Sequence, residues 1–179
     1  MEKNVIIAGF GGQGILLTGT ILANSYMLDD KNVICCPCYG AEMRGGEVNC
    51  EVVVSDEDEV CANKSEADYV IALNDLSYNK FTKKLKKGGT VIANSSLVPK
   101  IKIRDDINYI FADLSDIAKD LGDIRTTNMV SLGLFAKVEN LKLETLKNAV
   151  KKVFATKPQA VLDLNFKALE QGLNCKIEK

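Results

Sequence analysis

Two short stretches of this chain carry residues whose types and spacing could do chemistry. The first is Gly9-Phe10-Gly11-Gly12-Gln13-Gly14, which follows the apolar run Asn4 to Ala8 and precedes ILLTGTILANSYML, where apolar residues recur at helical spacing. Strand, tight turn and helix in that order let backbone N–H groups approach a phosphate, because glycines leave room and a helix N-terminus favours an anion. The same glycines could serve only to turn the chain and let helix and strand pack closely. A dinucleotide site would also need an acid where the second strand ends, to hold a ribose. Asp29 and Asp30 precede Val33 and so enter that strand, which leaves through Cys35-Cys36-Pro37-Cys38 without a carboxylate. The Gly-Lys-Ser/Thr ending of a nucleoside triphosphatase loop is missing as well.

The second stretch is Cys38 to Cys50, CYGAEMRGGEVNC. A guanidinium is planar, always charged and rich in donors, so Arg44 suits bidentate recognition of a carboxylate or a phosphate. Gly45 and Gly46 let the chain turn where a side chain would clash. Glu42 and Glu47 flank the arginine, and an ion pair within the chain, worth about 0–1 kcal/mol if exposed, is the plainer alternative.

Six cysteines (35, 36, 38, 50, 61 and 175) are spread unevenly along the chain, which favours reduced thiols over a disulfide framework. Cys35-Cys36-Pro37-Cys38 has the CxxC spacing of a dithiol redox pair or half a metal site. The following YGAEMRGG is too rich in glycine for the helix that would activate such a pair, and neither Cys50 nor Cys61 supplies a second CxxC. Small thiols at the end of a buried strand are the alternative. Histidine is absent, which removes Ser-His-Asp and Cys-His nucleophile systems, histidine zinc sites and imidazole acid–base chemistry. These residues therefore indicate no catalytic residue and no metal site.

The elements that must position these stretches are short strands alternating with helices. Strands are expected at Asn4–Ala8, Val33–Cys36, Asn49–Ser55, Asp68–Leu73, Gly89–Asn94 and Asn108–Asp113. Helices are expected after the glycine turn and near Leu76–Lys86, Ser115–Leu121, Thr127–Val138, Leu143–Phe154 and Gln159–Gly172, with Pro158 separating the last two. The fold class is α/β: one domain over residues 1–179, its sheet mostly parallel, with helices on both faces and a Rossmann-like first strand-turn-helix. No helix pattern joins the second and third strands, so a long loop or irregular crossover is expected there. The lysines from Lys80 to Lys87 read as a solvated helix end capped by Gly88, and Ser55 to Glu59 as a solvated turn. A net charge of -1 provides no field for nucleic acid or an anionic membrane. No apolar run reaches the roughly 18–20 residues that span a bilayer, and the start shows no cleavage signature, so the expected location is the cytoplasm.

Four motifs in order, GFGGQGI (9–15), YGAEMRGGEVNCEVVVSDE (39–57), ADYVIALN (67–74) and LKKGGTVIANS (85–95), resemble the gamma subunit of 2-oxoacid:ferredoxin oxidoreductases, with TNMVSLG (127–133) as a fifth. The wording around Arg44 is most similar to the 2-oxoglutarate branch, then the 2-oxoisovalerate branch. The chain departs from the pattern at the cysteine triplet, where only Pro37-Cys38-Tyr39-Gly40 keeps the frame.

The resemblance implies a small domain without a complete active site, working beside alpha and beta subunits and, where present, a delta subunit. Thiamine diphosphate, magnesium and the iron-sulfur clusters would belong to those partners, coenzyme A would be a co-substrate, and electrons would leave to ferredoxin. It further implies that Gly11, Gly12, Gln13 and Gly14 receive a phosphate of coenzyme A or pack against a neighbour. Tyr39, Gly40, Glu42, Arg44, Gly45, Gly46 and Asn128 are implied as interface or coenzyme A residues. A surface meant for partners would allow a homodimer when the chain is isolated.

Overall fold

The computed structural model describes residues 2–40, 46–57, 61 and 64–177. Its elements are β1 (Glu2–Phe10), α1 (Ile15–Leu28), β2 (Asn32–Tyr39), β3 (Glu47–Ser55), β4 (Ala67–Ala72), α2 (Asp75–Phe81), β5 (Leu85–Asn94), β6 (Asn108–Ala112), α3 (Leu114–Asp120), α4 (Thr127–Glu139), α5 (Leu143–Val153) and α6 (Gln159–Asn174). They build one six-stranded sheet in the order β2-β3-β1-β4-β5-β6. The pairs β1/β4, β4/β5 and β5/β6 are parallel, while β3 runs antiparallel to both β1 and β2.

The α/β class and the mostly parallel sheet agree with the sequence reading; of the loop or crossover expected between the second and third strands, the crossover is not formed, and residues 41–45 of the connection lie outside the described residues. A parallel crossover needs about a dozen residues or more, and residues 40–46 are too few. The chain instead turns back on itself, so β3 pairs with β2 and then inserts between β2 and β1. β2 is left as the edge of the sheet, which is why Pro37 is tolerated inside it.

Alternation along β1 sets two cores. Val5 and Ile7 face one side together with Val52, Ile71 and Ile92, under α1 and α3 to α6. Ile6 and Ala8 face the other with Val70 and Val91, under Tyr78 and Phe81 of α2 and under Val98 and Ile107. Both faces are covered, as parallel strands require, but one cover is only a short helix and an irregular segment. α4 is buried on all sides from Thr127 to Ala136 because it lies between the sheet and α6.

The helix expected to run to Lys86 ends at Phe81 and a 3-10 turn at Thr82–Lys84, and Leu85 already belongs to β5. The buried Leu85 fills the second core, which holds that segment extended against the local lysine-rich preference. Gly88, with φ 78, is therefore a residue inside β5 rather than a helix cap. Lys86 pairs with Asp68, and Lys80 with Glu47. Of the acidic turn, Ser55 closes β3 and is buried, Asp56 pairs with Lys31, and Asp58 and Glu59 lie outside the described residues.

Candidate functional site

The C-terminal ends of β1, β4, β5 and β6 lie at one end of the sheet. There α1 leaves β1 toward one face and α2 leaves β4 toward the other, opening the crevice where open α/β sheets bind ligands. In this chain Gln13 fills that crevice. Its Oε1 accepts from Phe10 N at 2.6 Å and from Asn74 Nδ2 at 3.3 Å, and its Nε2 donates to Leu73 O at 3.4 Å. Gly9 makes this possible, because a Cβ there would stand 2.5 Å from Gln13 Oε1 and 2.7 Å from Ile15 Cδ1.

The four turn residues differ in what they have left to offer. Gly11 N donates to Gly46 O at 3.0 Å and Gln13 N to Phe10 O at 3.1 Å, so those two amides are already committed. Gly14 caps α1 at φ 75, and a Cβ on it would overlap the Asn128 amide nitrogen. Asn128 is buried, sends Nδ2 toward Gly14 O at 3.4 Å and accepts from Met129 N at 2.9 Å. Gly12, at φ 100, faces open space: among the described residues an added Cβ would meet nothing within 4 Å. Among the described residues the first turn of α1 carries no acidic residue and no side-chain cap, so none of them offsets the positive end of its dipole beside Gly12.

Gly12 stands on the ridge between two clefts. One, of about 390 Å³, is apolar and runs past Ile15, Leu16 and Val48 to Tyr39, which is 61% exposed at the end of β2. The other, of about 200 Å³, lies toward Ser115, Thr127 and Arg125. Arg125 is held by Asp123 at 2.6 Å, and its guanidinium keeps that carboxyl below the usual carboxylate range. The turn is thus joined to Tyr39, Gly40 and Gly46, since Gly40 N also donates to Glu47 O at 3.0 Å. Asn128 arrives from α4. Glu42, Arg44 and Gly45 lie outside the described residues, whereas Glu47 pairs with Lys80.

Sequence reasoning missed Asn74, Asn94, Ser115 and Arg125. Asn94 Nδ2 donates to Ser115 Oγ at 2.8 Å and its Oδ1 accepts from Ser115 N at 3.2 Å, which ties β5 to α3. The signal available was Asn directly after an apolar strand, at Leu73-Asn74 and Ala93-Asn94; Asn74 indeed caps α2 by accepting from Ser77 N.

The dinucleotide arrangement is not formed. β3 occupies the place beside β1 that the second strand of such a site would take. Asp29 and Asp30 follow the far end of α1, a helix about 21 Å long. The cysteines also differ from expectation. β2 is an exposed edge rather than a buried strand, with Cys35 and Cys38 exposed and Cys36 half-buried. Three residues of extended strand separate Cys35 from Cys38 by roughly 10 Å, beyond the about 7 Å between Cα atoms that a disulfide spans. Instead Cys35 Sγ lies 3.3 Å from Cys50 Sγ. Among the described residues no group of three or more His, Cys, Asp or Glu side chains could hold a metal ion, and no helix is long and apolar enough to cross a membrane.

Comparison with known proteins places this geometry. The ketoisovalerate oxidoreductase subunit VorA of Methanothermobacter marburgensis is 32% identical over 96% of this chain, which spans only 36% of that relative's length. The 2-oxoglutarate synthase subunit KorC of Archaeoglobus fulgidus is 31% identical over 84% of this chain and 78% of its own. Among solved structures, the gamma subunit of a keto/oxoacid ferredoxin oxidoreductase from Geobacter sulfurreducens superposes with a TM-score of 0.81 at 29% identity, covering 96% of both chains. A 2-oxoglutarate:ferredoxin oxidoreductase from Magnetococcus marinus, solved with 2-oxoglutarate, coenzyme A and succinyl-CoA bound, superposes with a TM-score of 0.88 at 26% identity over 97% of this chain and 30% of its own. The family model for pyruvate ferredoxin/flavodoxin oxidoreductase matches residues 4–175, so the turn at Gly12, the Tyr39 cleft and the sheet that carries them are those of a member of that family, to which this chain belongs.

Proposed function

We propose that this chain is the gamma-type subunit of a cytoplasmic 2-oxoacid:ferredoxin oxidoreductase, which turns a 2-oxoacid and coenzyme A into acyl-CoA and carbon dioxide while reducing ferredoxin. Thiamine diphosphate, magnesium and the iron-sulfur clusters are carried by its partner subunits, and this chain contributes position and a contact for coenzyme A. The observation that carries the reading is Gly12, at positive φ with open space before an uncapped helix N-terminus. Its backbone, open among the described residues, and the α1 dipole suit a phosphate of coenzyme A, while the apolar cleft to Tyr39 suits a neighbouring chain or the less polar part of the same molecule. Support also comes from the similar enzyme with coenzyme A bound. The preferred 2-oxoacid is 2-oxoglutarate, on the wording around Arg44 and the KorC relative. The VorA relative supports a branched-chain 2-oxoacid as the second reading.

Purifying the tagged chain anaerobically with whatever accompanies it, then assaying 2-oxoacid- and coenzyme A-dependent reduction of a low-potential dye, tests the subunit reading. Larger chains with iron-sulfur absorption and activity on 2-oxoglutarate are the expected result; a lone, inactive protein rejects it. In that assembled enzyme Gly12→Leu is expected to weaken coenzyme A binding by calorimetry at least about tenfold, or roughly 1.4 kcal/mol. Unchanged affinity in a correctly assembled variant removes the phosphate role. Arg44, in the same reading, pairs with a partner's carboxylate or guides the phosphate end of coenzyme A. Arg44→Ala is expected to leave the isolated chain folded and lower the activity of the assembled enzyme by about tenfold or more, the loss of one charge-assisted pair; an unfolded variant makes Arg44 structural instead.

A further inference from the structure

The structure places two thiols in contact that neither the site above nor the proposed reaction uses. Cys35 lies on the edge strand β2 and Cys50 on β3, where the register sets Cys35 opposite Val52 and Pro37 opposite Cys50. The two cysteines are therefore diagonal neighbours on the face that packs against α1, and their sulfurs are 3.3 Å apart. Cys36 and Cys38 point to the other face of the same strand, as alternation requires. Cys35 is exposed and Cys50 is buried.

The helix beneath leaves room for this pair. Gly19 lies inside α1, where glycine costs about 1 kcal/mol relative to alanine. A Cβ on it would overlap Cys50 Sγ and stand 3.7 Å from Cys35 Sγ. The glycine thus forms the floor on which both sulfurs rest. The hydrogen-bonding contact with Cys50 draws the Cys35 thiol down to about 7, while that same contact and then burial push the Cys50 thiol up. When the pair loses a proton, it leaves from Cys35, the exposed sulfur, and Cys50 keeps its own. That division suits an attacking thiolate and a resolving thiol.

We propose that Cys35 and Cys50 form a reversible oxidation site for a hydroperoxide, closing to a disulfide across the β2–β3 pair. The Cys35 thiolate attacks one peroxide oxygen, forming an S–O bond as the O–O bond breaks; the released hydroxide takes a proton and leaves as water. The Cys50 sulfur then attacks the Cys35 sulfenic acid, an S–S bond replaces the S–O bond, and the second hydroxide leaves as water with the Cys50 proton. Two thiols and one hydroperoxide become one disulfide and two waters when the oxidant is hydrogen peroxide. Closing the bond needs the sulfurs to approach from 3.3 Å to about 2.05 Å. Among the described residues β2 has no strand on its outer side and can make that adjustment. A diagonal bridge departs from the preferred disulfide geometry, so it reduces readily. The ring closed by Cys35 and Cys50 contains Tyr39 to Gly46, so oxidation ties together the roots of the segment that carries Arg44.

Trypsin separates the two partners, because cleavage after Lys31, Arg44 and Lys64 puts Cys35 in residues 32–44 and Cys50 in residues 45–64. The full chain, reduced and then treated with about one equivalent of hydrogen peroxide, is expected to give these peptides linked, with fragmentation assigning the bond to Cys35 and Cys50 and dithiothreitol releasing it. Cys35→Ser, a change at an exposed position, is expected to abolish the link, while the double variant Cys36→Ser/Cys38→Ser retains it. In Cys50→Ser a sulfenic acid probe is expected to label Cys35. A link that survives Cys35→Ser, one that runs through Cys61, or peptides that stay apart while sulfenic acid appears first on another cysteine overturns the proposal.

Discussion

Gly172→Val is expected to lower the thermal midpoint of this protein more than any surface change. α4 and α6 cross so closely that a Cβ on Gly172 would overlap Val130 O and come within 2.8 Å of Leu134 N, and a Cβ on Gly133 would overlap Leu169 O. Those obstacles are backbone atoms of a buried helix, so no side-chain rotation relieves them. The helices must part, which opens gaps beside Val130, Leu134, Ala168 and Leu169, all fully buried. Overpacking of this kind costs about 1–3 kcal/mol and occasionally more, and with two backbone obstacles about 3 kcal/mol is expected. In a domain of this size that corresponds to a fall of roughly 6–12 °C, read by circular dichroism on heating. A midpoint within about 2 °C of the parent would mean that α6 is not seated on α4 as described.

The second large effect separates two glycines of one motif. Gly14→Ala is expected to destabilise the chain by about 2–4 kcal/mol, because φ 75 is unfavourable for alanine and the new methyl meets the buried Asn128 amide. That collision also disturbs the contact between Asn128 and Gly14 O that sets α4 against the start of α1. Gly12→Ala, with φ 100 but open space, is expected to cost only the backbone strain, about 1–2 kcal/mol. Denaturant unfolding of both variants reads the difference. Equal losses would mean that both glycines serve the turn alone, and Gly12 would no longer stand out as the exposed approach to the helix.

This division of labour within the motif is not visible in the letters GFGGQG. The strand-turn-helix was legible, since apolar runs and helical spacing are local properties, and α1 spans the expected ILLTGTILANSYML. Its ligand reading was legible only as a choice between phosphate and packing. The tertiary structure shows where packing constrains the motif: Gly9 and Gly14 make room for Gln13 and Asn128, whereas an added Cβ on Gly12 would meet nothing among the described residues. The Gln13 amide links β1, the end of β4 and the α2 cap. Phe10 is a local partner, but Leu73 and Asn74 are some sixty residues away, beyond the reach of any local pattern.

By itself, then, the sequence determined the α/β class, the positions of most strands and helices, the absence of imidazole chemistry, and the family, through motifs whose order survives in the letters. Only the tertiary structure decided what depends on non-local contacts. β3 returns antiparallel between β2 and β1 because the connection is too short to cross over. The KKGG segment extends because Leu85 is needed in a core. Gly172, which reads as the end of a helix, is the place where α4 approaches, and α6 continues to Asn174. Cys35 finds Cys50 rather than Cys38, because an extended strand carries near neighbours apart while strand pairing brings a distant residue into contact. In each case the sequence records what a segment prefers, whereas the outcome follows from which distant groups must be buried beside it.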